Sequence, residues 1–196
     1  MLSLPKEEKI QHNMSILGPG TSLIITEPYK GGTVNMTVEC AGWKKTSCDD
    51  GPGIRSVLFF QGCSMNCPGC QNAQTHRKGC GMEYSVDEVI ALIERECKNK
   101  KITISGGEPL EQLEALIAIL DILNLQGYNI CVYTGWSLNK VPMSVRERVS
   151  YLKCGGFDKK RLNSSLMYVG SDNQHMYRNT GNGTLVEMDL VEKECA

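Results

Sequence analysis

The sequence predicts an α/β fold built on a parallel sheet. Short runs rich in β-branched and aromatic residues end on glycine, and they alternate with longer segments whose apolar residues recur at helical spacing. The connections between these segments are short, as in folds where helices link neighbouring parallel strands. Because the carboxyl ends of parallel strands lie at one edge of the sheet, the loops that follow the strands should converge on one site.

The first strand and the first helix of this pattern have clear signals. Residues 56–62 read SVLFFQG, which predicts a buried strand that ends at a glycine. Residues 85–97 begin with Ser85 and Glu88 at the spacing of a capping box, followed by apolar residues on one helical face. We therefore expect a helix from Ser85 onward.

The remaining elements continue the alternation. Pro109 and Gly127 bracket an amphipathic stretch, as expected of a helix start and a helix end. In chain order, we predict a strand over 101–107, a helix over 109–127, a strand over 128–135, a helix over 142–149 and a strand over 150–156.

Composition and termini limit the classes of function. The chain has 196 residues, is 41% hydrophobic and carries a formal net charge of −1, so one domain is expected and no basic field favours nucleic acid or anionic membranes. No apolar run approaches a membrane span, and the N-terminus lacks the apolar core of a secretory signal. We predict a cytoplasmic protein with an N-terminal extension at 1–33, a core at 34–157 and an irregular tail at 158–196 that is available for partner contact.

Three cysteines follow the first predicted strand in the pattern C-x3-C-x2-C, at Cys63, Cys67 and Cys70. Three thiolates on a short loop can hold three irons of a [4Fe–4S] cluster and leave the fourth iron open to another ligand. A structural zinc site would need a fourth protein ligand, and His76 keeps a Cys3His site open as an alternative. The other seven cysteines show no metal-binding spacing and are expected to be packing residues or inert thiols.

The cysteine loop resembles the signature of the radical S-adenosylmethionine (SAM) family, which carries C-x3-C-x2-C on the loop after the first barrel strand. The resemblance implies a partial, open (β/α) barrel with parallel strands. It also implies that Cys63, Cys67 and Cys70 hold a [4Fe–4S] cluster whose open iron is chelated by the amino and carboxylate groups of SAM. One electron from the cluster then cleaves SAM to a 5′-deoxyadenosyl radical, so the cofactors supply the reactivity.

A second motif, SGGEP at 105–109, resembles the G-G-E/D-P loop that binds the amino group of the methionine part of SAM in this family. Two glycines let a backbone approach a ligand closely, and a carboxylate is a suitable partner for the amino group. The resemblance places SAM against the following residues: Gly69, Cys70, Gln71, Ser105, Gly106, Gly107, Glu108 and Thr134.

Three further segments narrow the resemblance to the activating enzymes of glycyl radical enzymes. DGPGIR at 50–55, ahead of the first cysteine, is shared by these activating enzymes in general. YTGW at 133–136 and GSDNQ at 170–174 are most similar to segments of the compact activases of anaerobic, class III ribonucleotide reductases. The resemblance implies an oxidoreductase that forms a glycyl radical on a partner enzyme and takes electrons from a flavodoxin or ferredoxin. The alternatives are an activase of the pyruvate formate-lyase type, a radical SAM enzyme acting on another peptide or metabolite, and a non-catalytic iron–sulfur or zinc module.

The chain departs from the compact activases at a few positions. Cys154 stands where they commonly have an acid, and Val169 and His175 stand where they tend to have arginine. These changes leave the SAM motifs intact but put the identity of the partner in doubt.

Other residues near the motifs have ordinary structural interpretations. Arg55 either pairs with an acid of the partner or caps its own loop, and Trp136 is expected to pack at the rim of the site. Asp49 and Asp50 precede Gly-Pro-Gly and are interpreted as turn residues.

Overall fold

A computed structural model describes residues 36–191 of the chain. The predicted N-terminal extension at 1–33 and Cys195 lie outside the described residues. The strands are β1 Thr37–Ser47, β2 Arg55–Phe60, β3 Met82–Ser85, β4 Lys101–Gly106, β5 Asn129–Tyr133, β6 Tyr151–Cys154, β7 His175–Asn179 and β8 Leu185–Glu187. The α-helices are α1 Val86–Glu96, α2 Leu113–Leu125 and α3 Met143–Arg146. Short 3-10 helices lie at Ala73–Thr75, Pro109–Gln112, Leu138–Lys140 and Lys159–Arg161.

The strands form one mixed sheet in the order β3-β1-β2-β4-β5-β6-β7-β8. The four central strands, β2, β4, β5 and β6, are parallel, which confirms the α/β class and the predicted strand–helix alternation. On one side β1 and β3 are antiparallel, and on the other side so are β7 and β8. The sequence-based expectation of parallel strands alone therefore holds for the centre of the sheet and is wrong for its flanks.

The two faces of the parallel strands have different environments. Leu58, Ile104, Val132 and Leu152 point to the face that packs against the three helices, and they form the main hydrophobic core with Leu116 and Ile119 of α2. Their neighbours in sequence point to the opposite face, since side chains alternate along a strand. That opposite face carries the candidate functional site.

The predicted helix at 85–97 begins as the sequence indicates. The Ser85 hydroxyl accepts a hydrogen bond from the Glu88 N–H at 3.2 Å, and the Glu88 carboxylate accepts one from the Ser85 N–H at 2.7 Å. This reciprocal pair satisfies donors that a helix start otherwise leaves free. The four residues before the helix form β3, which the sequence pattern did not indicate.

The predicted helix over 109–127 is divided in two. Pro109–Gln112 forms a 3-10 turn, and α2 begins only at Leu113. The turn arises because the Glu108 side chain accepts a hydrogen bond from the Leu110 N–H at 3.0 Å, which fixes the chain before the α-helix can start. The residue that begins this turn is therefore a member of the second motif.

The predicted irregular tail contributes two strands to the sheet. β7 pairs with β6, and Met176 in β7 is fully buried against Cys131 and Tyr133 of β5. The tail is mostly polar, so its apolar alternation is too short to indicate a strand, and pairing with β6 supplies the missing stabilisation. Among residues 36–191, no helix is long and apolar enough to cross a bilayer.

Candidate functional site

Both sequence motifs open onto one cavity at the carboxyl ends of β2, β4, β5 and β6. The cavity is lined by the three motif cysteines and by most of the residues that the resemblance assigned to SAM, which are Cys70, Gln71, Ser105, Gly106, Gly107, Glu108 and Thr134. Of the assigned residues only Gly69 is absent from this lining. The convergence predicted from the parallel-strand topology is therefore present in the structure.

The cysteine loop is held by backbone hydrogen bonds at its start. Gly62 follows β2 with a φ of +94°, a conformation that favours glycine, and its N–H donates to the Thr75 carbonyl at 2.8 Å. The Cys63 N–H donates to the His76 carbonyl at 2.9 Å. The loop therefore turns as it leaves β2, and its first residues are hydrogen-bonded to the segment at Thr75 and His76.

The three motif cysteines are free thiols and are partly exposed to the cavity. Burial raises the pKa of the Cys63 thiol, while hydrogen bonds from the backbone N–H groups of Met65 and Asn66 act in the opposite direction. Those N–H groups stabilise a thiolate, the form that binds metal. The loop is therefore suited to hold Cys63 as a thiolate ligand of a positively charged metal centre.

The cysteines do not converge on a single ion. Within the described part of the chain, no three His, Cys, Asp or Glu side chains are grouped to hold one metal ion. This includes His76, which the sequence left open as a fourth zinc ligand. In an iron–sulfur cluster each thiolate binds a different iron, so the three thiols need only face a shared cavity, as they do here.

The glycines of the second motif bring it directly against the cysteine loop. A Cβ on Gly107 would lie 2.1 Å from the Gly62 carbonyl oxygen, and a Cβ on Gly106 would lie 2.3 Å from the Phe60 carbonyl oxygen. Instead, the Gly107 N–H donates to the Phe60 carbonyl and the Glu108 N–H donates to the Gly62 carbonyl, both at 2.8 Å. Besides lining the cavity, where a ligand could approach them, the two glycines allow close backbone contacts, Gly106 with the end of β2 and Gly107 with the cysteine loop.

Glu108 places a carboxylate at the wall of the cavity. Its side chain accepts hydrogen bonds from the Leu110 N–H at 3.0 Å, the Thr134 hydroxyl at 2.8 Å and the Gly135 N–H at 2.7 Å. The residue is 1% exposed, and burial raises its pKa, partly offset by those hydrogen bonds. No cationic side chain among residues 36–191 forms an ion pair with it. A buried carboxylate in this position favours a ligand that brings N–H donors and positive charge.

Lys153 is a cavity residue that the sequence analysis missed. It pairs with Tyr133 across β5 and β6, and its Nζ lies 4.6 Å from the centre of the Tyr133 ring. Burial lowers the pKa of Lys153, and the Tyr133 hydroxyl is buried without a hydrogen-bond partner. The cavity therefore carries a cation and an unused hydroxyl in addition to the Glu108 carboxylate. The alternation Tyr151-Leu152-Lys153 could have indicated that Lys153 faces away from the helix-covered core.

The GSDNQ segment of the tail closes the cavity from the side. The Gln174 side chain accepts from the Gly170 N–H at 2.8 Å and donates to the Gly155 carbonyl at 2.9 Å, while the Asn173 side chain donates to the Gly156 carbonyl at 2.9 Å. Gly170 and Gln174 line the cavity. This motif therefore holds the loop after β6 in place, a role that the sequence did not indicate.

Arg55 is fully buried at the start of β2. It donates to the Pro52 and Ile102 carbonyls, at 3.3 and 3.2 Å, and to the Asn129 side chain at 2.5 Å. Of the two interpretations considered for Arg55, the structure supports the one in which it caps its own loop. Asp50 accepts from the Ser47 hydroxyl at 2.5 Å, as expected of a turn residue, and it also lines the cavity.

The departures from the compact activases lie at different depths. Cys154 is 2% exposed and packs in the core beneath the helices, where burial raises its pKa to about 12, so it does not supply charge to the cavity. His175 is exposed, and it lies 2.6 Å from a carboxylate oxygen of Glu187, a residue of β8.

Trp136 is partly buried against the main core, which agrees with its interpretation as a packing residue.

Comparisons with known proteins bear directly on this site. A family model described as "4Fe-4S single cluster domain" matches residues 49–177, a span that includes the cysteine loop and GSDNQ. The anaerobic ribonucleoside-triphosphate reductase-activating proteins of Salmonella typhimurium and Escherichia coli K12 are each 32% identical over 136 residues, which cover 64% of this chain and 88% of the relative.

Two further matches cover a smaller share of this chain. The pyruvate formate-lyase-activating enzyme of Clostridium pasteurianum is 39% identical over 90 residues, which cover 43% of this chain and 38% of the relative. Among solved structures, QueE from Escherichia coli aligns with 60% of this chain and 71% of its own, at 15% identity and a TM-score of 0.46.

Proposed function

Because this chain belongs to the 4Fe-4S single cluster domain family and to the anaerobic ribonucleoside-triphosphate reductase-activating proteins, we propose that it is a radical SAM activase that forms a glycyl radical on a class III ribonucleotide reductase. The observation that carries this proposal is the shared cavity. It brings three thiols and the Glu108 carboxylate together at the carboxyl ends of the parallel strands.

Cys63, Cys67 and Cys70 would hold a [4Fe–4S] cluster, with one iron open to SAM. When bound, the reduced cluster and SAM supply a 5′-deoxyadenosyl radical that can remove a hydrogen atom from a glycine of the partner. The chain itself supplies position and charge. The Met65 and Asn66 N–H groups stabilise the Cys63 thiolate, and the hydrogen bonds of the Gly107 and Glu108 N–H groups fix the second loop against the first.

Two charged residues would bind the methionine part of SAM. Glu108, whose carboxylate accepts hydrogen bonds from Thr134 and Gly135, would also accept them from the amino group. Lys153 provides a cation in the same cavity for the carboxylate. Ser105 lines the cavity beside them, and the backbone of Gly69, Cys70 and Gln71 would contact the adenine. Charge of both signs in one cavity suits a ligand that carries an amino and a carboxylate group together.

The mixed sheet would wrap around this cavity as a partial, open barrel of the radical SAM type. Supporting this, the cavity lies on the sheet face opposite the helices and is bounded by loops from β2 at one side to the tail after β6 at the other. The domain limits at 34–157 and 158–196 remain predictions, with the tail as a surface for partner contact. A reductive reaction also requires an electron donor of the flavodoxin or ferredoxin type. The proposed setting is the cytoplasm, where thiols stay reduced.

Anaerobic reconstitution tests the proposal. With iron, sulfide, SAM and a reductant, the protein should bind about four irons per chain and release methionine and 5′-deoxyadenosine. Cys63→Ala, Cys67→Ala and Cys70→Ala should each abolish cleavage, whereas Cys97→Ala, in the core beneath the helices, should retain most of it. Bound zinc, absence of SAM cleavage, or equal damage from Cys97→Ala would overturn the assignment.

A further inference from the structure

Glu111 lies between the two loops of the site without being part of either motif. It is in the 3-10 turn that follows Glu108, and its side chain is 12% exposed. One carboxylate oxygen, Oε1, accepts hydrogen bonds from the Ser64 N–H at 2.8 Å and from the Ser64 hydroxyl at 2.6 Å. The other oxygen, Oε2, forms an ion pair with Lys78 Nζ at 2.7 Å. Glu111 therefore contacts both the cysteine loop, at Ser64, and the segment that follows the loop, at Lys78.

The contacts of Glu111 fix the peptide that follows the first cysteine. Ser64 comes directly after Cys63, and Lys78 belongs to the segment whose backbone is bonded to Gly62 and Cys63. Ser64 and Asn66 are exposed, so water would otherwise compete for their polar groups. A carboxylate acceptor makes stronger hydrogen bonds than a neutral one, and two donors on one oxygen restrain the Ser64 backbone.

Glu111 is also hydrogen-bonded to the SGGEP segment. Its own N–H donates to the Glu108 carbonyl at 3.0 Å, and the Glu108 side chain caps the same turn through Leu110. The 3-10 turn therefore links Glu108 to the cysteine loop through a short series of hydrogen bonds. The glycine contacts join the two loops at Gly62, and the Glu111 contacts join them again at Ser64.

We propose that Glu111 is a positioning residue that sets the distance between the cluster loop and the Glu108 carboxylate, so that a single SAM molecule spans both. This inference rests on the proposed function. It assigns to Glu111 no contact with SAM or with the reacting atoms. The role requires an acceptor at the position of the carboxylate, and the charge of Glu111 contributes through Lys78.

Hydrogen exchange on the full chain tests the contact between Glu111 and the cysteine loop, independently of any cofactor. Glu111→Ala removes both contacts with Ser64, so amide exchange across the cysteine loop should become at least about tenfold faster. Glu111→Gln keeps an acceptor and should largely restore protection. Glu114→Gln, an exposed acid on the next turn, is the matched control and should exchange as wild type. Unchanged exchange in Glu111→Ala would overturn the proposal.

SAM binding to the reconstituted protein tests the consequence. The affinity of Glu111→Ala for SAM should fall by about tenfold, and that of Glu111→Gln by about threefold or less. The change in the electron paramagnetic resonance spectrum of the reduced cluster on SAM addition should weaken in parallel. If wild type neither builds the cluster nor binds SAM, the proposed function fails. If wild type binds and Glu111→Ala binds equally well, only the role of Glu111 fails.

Discussion

Glu108 and Thr134 lie at the ends of neighbouring strands, and the Thr134 hydroxyl donates a hydrogen bond of 2.8 Å to the Glu108 carboxylate. The bond joins the SGGEP and YTGW segments inside the protein. Together with the Gly135 N–H it fixes the carboxylate at the cavity wall before any ligand arrives. Such preorganisation reduces the ordering cost of binding.

Glu108→Gln should weaken SAM binding while leaving the fold intact. The amide oxygen can still accept from Thr134 or Gly135, but the negative charge opposite the amino group is lost. We expect affinity to fall by about 10- to 100-fold, the range for a charge-assisted hydrogen bond. Equilibrium binding to the reconstituted protein measures this. Thr134→Val, which removes one bond to the carboxylate but keeps its charge, should cost less, and the reverse order would contradict this role of Glu108.

SAM affinity should depend on pH through Glu108. Burial raises the pKa of this carboxyl, so it begins to protonate at a higher pH than an exposed glutamate. As pH falls through that pKa, SAM binding should weaken because the charged acceptor is lost. The contribution of Glu108 to the free energy of unfolding should change in the opposite direction, since protonation removes the cost of a buried charge. Binding titrations from neutral to mildly acidic pH should show this slope in wild type and lose it in Glu108→Gln.

Lys153→Met should weaken SAM binding by about tenfold through loss of the cation in the cavity. Methionine fills a similar volume, so its packing against Tyr133 should largely persist. Lys160→Met is the matched control, because Lys160 is exposed on the tail. Equal affinities of the two variants for SAM would show that Lys153 does not act on the ligand.

Gly107→Ala should destabilise the joint between the two loops. A Cβ at this position would lie 2.1 Å from a backbone oxygen, which cannot move without displacing the cysteine loop. We expect a loss of about 3 kcal/mol in the free energy of unfolding. Gly127→Ala is the comparison, since a Cβ there meets nothing within 4 Å and only the φ of +74° is unfavourable, at a cost of about 1 kcal/mol. Denaturant unfolding separates the two, and similar losses would argue against the close approach.

The parts of the site that the sequence predicts are those encoded by local pattern. Strand ends followed by glycine-rich loops indicated where the cysteines and SGGEP would lie, because parallel strands bring such loops together. The capping pair Ser85 and Glu88 located the start of α1 for a similar reason. Each of these signals depends on a few neighbouring residues and on backbone conformations that few residue types favour.

Other parts depend on contacts between distant segments. β1 is interrupted by register shifts near Gly42 and Ser47, so its alternation does not persist long enough to predict an eleven-residue strand. The face to which Lys153 points is set by the register of β6, a strand of only four residues. The contacts of Glu111 with Ser64 join residues 47 positions apart, and no local pattern encodes them.

Formation of a glycyl radical on a partner protein is the central step of the proposed function, and one spectrum tests it most directly. The reconstituted protein is mixed anaerobically with SAM, reductant and a class III ribonucleotide reductase, and in a parallel sample with a pyruvate formate-lyase, and the electron paramagnetic resonance spectra are recorded. We predict a glycyl radical doublet on the reductase with wild type and none with Cys67→Ala. No doublet on the reductase despite SAM cleavage, or a doublet formed only on a pyruvate formate-lyase, would contradict the proposed function.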